Sequence, residues 1–104
     1  MTHELKVWPK FFQPLIAGKK TFELREKDRK YQEGDELILQ EFVPGFEIID
    51  GKVQGEYTGS SAKATVLGLT DLDGAFRTEP GLILLSIRLD GFTIADKKDE
   101  SEVQ

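Results

Sequence analysis

A chain of 104 residues with 38% hydrophobic and 32% charged residues has the length of one domain and the makeup of an ordinary soluble globular protein. It has no cysteine and one histidine, His3, which excludes a disulfide framework, thiol chemistry and a His/Cys zinc site; neither a metal nor a cofactor is expected. No apolar run reaches the length of a bilayer span and the N-terminus lacks a signal-peptide pattern, so the expected location is cytoplasmic, without a membrane partner.

In chain order, THELKV (2–7) alternates His3, Leu5 and Val7 against Thr2, Glu4 and Lys6, the period-2 pattern of a half-buried strand. WPKFFQPLIAG follows, with Pro9 suited to a first helical position, Phe12, Leu15 and Ile16 as an apolar set, and Gly18 as a left-handed stop. Pro14 removes a backbone donor inside this helix, which predicts a kink or a helix that starts near Pro14. Thr21 to Glu26 alternate again, with Phe22 and Leu24 on one face and Thr21, Glu23 and Arg25 on the other.

After a turn closing at Glu33-Gly34-Asp35, ELILQEFV reads as a third strand. FEIIDGKVQGEY carries Asp50-Gly51 between apolar-containing runs, a hairpin signal with a short strand on either side. Residues 62–69 suggest another strand, and LILLSIRL (82–89), nearly all apolar, is expected to be the most buried one. TDLDGAFRTEPG between them is turn-rich, with room for a short helical turn, and 95–104 form an acidic tail expected to be flexible. These elements predict a single domain over 1–94, α+β but predominantly β. Its expected form is a small bent barrel of six or seven strands with the early helix on its rim.

Charge is unevenly placed. The formal net charge is −5, yet residues 1–30 hold eight Lys/Arg against four Asp/Glu, and the remainder six against fifteen. GKKTFELREKDR (18–29) alone holds five of the fourteen bases. A structural account suffices for each: Gly18 ends the helix, Lys19 and Lys20 complement its C-terminal dipole, and the remaining charges cover the solvent face of a strand. A functional account starts from spacing. Glu23 and Arg25 leave the same face of one strand, so the carboxylate can brace the guanidinium, whose planar fork suits phosphate or a base edge; Lys20 adds a point charge nearby. Glu23 can in addition accept from an exocyclic amine.

Gly18, Lys20, Glu23 and Arg25 follow the G-x-K-x-x-E-x-R pattern and resemble the signature of the ASCH domain, a superfamily similar to the PUA RNA-binding barrel. HELKVWPKFF, GKKTFELREKDRKYQEGDELILQEF, GEYTG and LILLSI look more specifically like the small stand-alone DUF3850 group of ASCH-like proteins. The resemblance implies a PUA-like barrel with a cleft beside the early helix that binds RNA or a nucleotide through Lys20, Glu23 and Arg25. Some ASCH-like proteins are amidohydrolases that deacylate a modified cytidine such as N4-acetylcytidine, using the signature lysine, a threonine three positions later and a distant glutamate. Lys20 matches that lysine, which makes it the catalytic candidate if the chain is an enzyme, but Glu23 stands at the threonine position.

Around this set, His3, Lys6, Trp8, Asp28, Arg29 and Tyr57 are candidate supporting residues. His3 is expected to face inward with a satisfied hydrogen bond. Trp8 and Tyr31 can stack a base or simply pack. Asp28-Arg29 repeats the acid-base pairing of the signature beside a turn, where a surface ion pair is worth little. GEYTGSS lacks the order of a phosphate loop, and one histidine does not support a nucleophilic triad. Three functions therefore remain open: an RNA- or nucleotide-binding module, an acylated-nucleoside amidohydrolase, and a protein-interaction module whose acidic remainder suits a basic partner.

Overall fold

The computed structural model describes residues 1–73 and 81–95. Its elements are β1 (Thr2–Val7), α1 (Pro9–Ile16), β2 (Phe22–Glu26), β3 (Glu36–Ile49), β4 (Lys52–Asp71) and β5 (Leu82–Thr93). Asp50 and Gly51 both take left-handed backbone, with φ of 52° and 75°, the geometry a two-residue hairpin turn requires. That turn joins β3 to β4, the two longest strands, whose antiparallel register runs from Ile49↔Lys52 back to Glu36↔Thr65.

The five strands form one sheet in the order β1-β3-β4-β5-β2, curled into a half-barrel. β1 lies parallel to β3, and the other neighbours are antiparallel. Six or seven short strands are expected, whereas five form among the described residues. Residues 36–43 and 46–49 are one continuous strand, as are 52–57 and 62–69. The change of direction is absorbed by register shifts at Gln40/Phe42, Pro44/Ile48, Lys63/Ala64 and Val66/Gly68. Bulges of this kind bend a strand without ending it. The polar and glycine residues that resemble turn signals therefore mark bends.

β1 and β2 are the two edges of the curl. The core lies on its inner face: Leu5 and Val7 of β1, Leu37 and Leu39 of β3, Ala62, Ala64 and Val66 of β4, and Leu85 and Ile87 of β5. β5 is not the most buried strand, because only Leu85 and Ile87 are buried along its length; its other face meets solvent. Beyond the barrel, β3 and β4 continue as a two-stranded ribbon on which Phe46, Ile48 and Val53 are exposed.

α1 packs against β3 and β5 through Phe12 and Leu15, which are fully buried. The helix starts at Pro9, not near Pro14, and runs through Pro14. It is only eight residues long, so Pro14 removes one intrahelical bond, from the Lys10 carbonyl, while burial of Phe12 and Leu15 on either side holds the segment helical. Pro14 also acquires a use: its carbonyl accepts the backbone N–H of both Lys19 (2.9 Å) and Lys20 (3.1 Å) as Gly18 turns the chain through φ 77°. The helix end therefore fixes where Lys20 emerges.

The expected connection over 70–81 and tail over 95–104 fall largely outside the described residues. Among the described residues no helix is long and apolar enough to cross a membrane. Phe12 is the plug of the half-barrel, and Phe12→Ala is expected to lower unfolding free energy by about 3–5 kcal/mol in urea denaturation.

Candidate functional site

The position of the charges on β2 follows from its partner strand. Antiparallel pairing sets Glu23 opposite Leu85 and Arg25 opposite Ile83, and directly opposed residues share a face. Leu85 points into the core, so Glu23 does too; it is only 4% exposed, whereas Phe22 and Leu24 are 45% and 49% exposed. Contrary to the structural account, Glu23 and Arg25 thus do not cover a solvent face. Both turn inward, while Phe22, Leu24 and Glu26 are exposed.

A buried carboxylate must be paired to remain charged. Lys20 Nζ donates to Glu23 Oε1 at 2.7 Å, and also to the Phe22 carbonyl at 2.7 Å. On the other side Arg25 Nε lies 3.5 Å from Glu23 Oε2, within ion-pair range but without a hydrogen bond. Arg25 Nη2 donates to the Lys6 carbonyl at 2.8 Å. Arg25 Nη1 donates to no protein group among the described residues. One acid therefore holds an ammonium and a guanidinium side by side, and the guanidinium spans from edge strand β2 to edge strand β1.

Two clefts open along this seam. The first, of about 590 Å³, is lined by Lys20, Glu23 and Arg25 together with Lys6, Trp8, Phe11 and Phe22. The second, of about 610 Å³, continues past Arg25 to Asp28, Arg29, Tyr31 and Tyr57. Lys6, Leu24 and Arg25 line both. Both volumes lie in the range of sites for small molecules.

The structure thus brings together Lys20, Glu23, Arg25, Lys6 and Trp8, and places Asp28, Arg29 and Tyr57 in the adjoining cleft. Arg29 sits 3.5 Å from Asp28 and its Nη1 donates to the Glu4 carbonyl of β1 at 3.4 Å, a second and longer bridge across the seam. Tyr57 stands on β4 with its ring edge-on to Phe42, centroids 5.1 Å apart. Lys6 Nζ is 4.5 Å above the Phe42 ring and 5.9 Å from that of Tyr57.

Phe11, Phe22 and Phe42 were not among the sequence candidates. Phe22 and Phe42 belong to strands that read as ordinary apolar alternation, and nothing in that pattern says which face is open. Glu41 was missed as well. It is buried on β3 at the Gln40/Phe42 bulge, accepting from Gln13 Nε2 (3.3 Å) and Thr58 Oγ1 (2.8 Å), and so ties α1, β3 and β4 together.

A family model described as "Domain of unknown function (DUF3850)" matches residues 2–87, a stretch that contains every residue of both clefts. The chain belongs to this family. A protein of Escherichia phage P2 described as "Uncharacterized 12.9 kDa protein in GpA 3'region" is similar to it, 41% identical over 70 residues, which cover 67% of this chain and 55% of the phage protein. The match thus spans about half the length of the phage protein.

Within this DUF3850 chain His3 stands apart from Lys20. It is buried as expected: its Nε2–H donates to Asp35 Oδ2 at 2.7 Å, and its ring lies 4.8 Å from that of Tyr31. Asp35 also accepts from the Gln32 backbone N–H (2.9 Å) and from the Met1 amino group (3.2 Å). His3 and Asp35 line a separate hollow of about 500 Å³ with Asp28 and Arg29. The bond from His3 holds the Asp35 carboxyl below its ordinary value, helped by Gln32 and the N-terminus, and burial pushes the Tyr31 phenol up.

A carboxyl with a depressed folded-state pKa adds stability that is present above its unfolded value, about 3.9, and is lost as pH falls through the lower folded value. Asp35→Asn is accordingly expected to cost about 1–3 kcal/mol at pH 7 in denaturant titrations. The gap between variant and parent narrows as pH is lowered below about 4.

Proposed function

We propose that this DUF3850 chain is an ASCH-like, PUA-related half-barrel that binds RNA or a nucleotide in the cleft between its edge strands. One observation carries the reading: a single buried carboxylate, Glu23, holds Lys20 and Arg25 side by side at the cleft, and leaves Arg25 Nη1 without a protein partner among the described residues. A guanidinium fixed in this way presents its free edge to a phosphate or a base without first losing side-chain entropy. Exposed aromatic rings beside it, Trp8 and Phe22, supply stacking surfaces.

The charge distribution sets the scale of the ligand. A protein of net charge −5 in which five of the fourteen Lys and Arg line the two clefts suits a few nucleotides, not a long phosphate backbone. Two or three neutralised phosphates correspond to a log–log salt slope of roughly −1 to −2.

Lys20 spends two of its three N–H donors on Glu23 and the Phe22 carbonyl. That geometry holds a cation in place and suits binding better than nucleophilic attack. Hydrolysis of N4-acetylcytidine, followed by chromatography and lost in Lys20→Ala, is the result that would replace binding with the amidohydrolase reading. Silence with every nucleic acid would favour a protein partner.

The test is anisotropy of a labelled U-rich hexaribonucleotide at two salt concentrations. Saturable binding is expected, with Kd raised about tenfold or more by Arg25→Ala, and by Lys20→Ala to a similar degree. Binding indifferent to Arg25→Ala, or with a slope much steeper than −2, contradicts the proposal.

A further inference from the structure

Resting on the reading just given, we infer that the ligand is a nucleic-acid strand of at least two nucleotides, seated with one base in each cleft and the linking phosphate on the Lys6–Arg25 ridge between them.

The two clefts are not independent hollows. They share Lys6, Leu24 and Arg25, and beyond that ridge each is lined by its own residues, Trp8, Phe11, Lys20 and Phe22 among them in the first and Asp28, Arg29, Tyr31 and Tyr57 in the second. The ridge is cationic, and each cleft beyond it has its own exposed aromatic ring: Trp8, 44% exposed, in the first and Tyr57, 52% exposed, in the second. Aromatic, cation and aromatic again is the order in which a dinucleotide presents base, phosphate and base. A base has an apolar face that stacks on any aromatic ring, while the phosphate between two bases needs positive charge.

The second station is built, not incidental. Phe42 is buried and packs edge-on against the half-exposed Tyr57 ring, and Lys6 Nζ sits over Phe42. Arg25 Nη2 and Arg29 Nη1 are both drawn to β1 carbonyls, of Lys6 and Glu4, which spaces the two guanidinium groups along the seam. A mononucleotide would leave either the Trp8 or the Tyr57 station empty. The structure thus offers more recognition than one nucleotide can use.

Trp8 is the chain's single tryptophan, so its fluorescence reports occupancy of the first cleft directly. Titration of the purified full-length chain with uridine 5′-monophosphate, the dinucleotide UpU and the tetramer U4, followed by Trp8 quenching and in parallel by calorimetry, separates the possibilities. UpU is expected to bind more tightly than the mononucleotide by roughly 5- to 150-fold, the contribution of one stacked base. In Tyr57→Ala the ratio of the two dissociation constants is expected to collapse toward one, and in Tyr57→Phe, which keeps the ring, to persist. Equal affinity of mononucleotide and dinucleotide, or a ratio unchanged in Tyr57→Ala, overturns the two-base footprint while leaving nucleotide binding intact. Absence of binding by all three probes overturns the underlying reading and the footprint with it.

Discussion

The arrangement depends on the burial of one carboxylate. Glu23 lies on the inner face of β2 because its cross-strand neighbour is Leu85, and a charge so placed is costly unless cations come to it. Lys20 and Arg25 do so, from three residues before and two after. Replacing such a cluster with apolar residues would often stabilise a fold, so the ionic group contributes placement more than stability. Two cations that would otherwise sample solvent independently are held in one orientation.

That cluster also accounts for how the half-barrel manages its open side. β1 and β2 are sheet edges, and unpaired edges expose backbone donors and acceptors. Here side chains cross the gap in place of a backbone ladder: Arg25 reaches the Lys6 carbonyl and Arg29 the Glu4 carbonyl. A slit bridged at two points keeps its width while leaving room between the strands. At its far end the buried pair His3–Asp35 pins the start of β1 to the turn before β3. The seam is thus fastened at one end by a histidine–carboxylate contact and along its length by guanidinium groups.

Much of this could be read from the residues. The alternation of THELKV and TFELRE, the Asp50-Gly51 turn, the helix beginning at Pro9 and the left-handed Gly18 each have a local physical cause, and the structure has each of them. The pairing of Glu23 with Arg25 was legible from spacing alone, because two-residue separation on a strand fixes a shared face. Which face was buried was not. LILLSIRL is apolar at almost every position, so it carries no phase, and only the register Glu23↔Leu85 decides that the charges turn inward. The strand count failed for a related reason: glycines and hydroxyl residues at Gly55 and Thr58 to Ser61 look like turns, but pairing of Gly55 to Tyr57 and of Ser61, on either side of a bulge, carries β4 past them. Pro14 misled in the same way, since a proline's local cost was outweighed by burial of Phe12 and Leu15 around it. In each case a long-range contact overrode a local preference.

The central claim is that Glu23 and Arg25 act as a coupled pair inside the seam. A double-mutant cycle tests it most directly, with Glu23→Gln, Arg25→Met and the double variant compared by urea unfolding at moderate salt. The account predicts non-additivity of about 0.5–3 kcal/mol, the double variant being less destabilised than the sum of its parts. Strict additivity, with each change costing what an exposed charge costs, would contradict it.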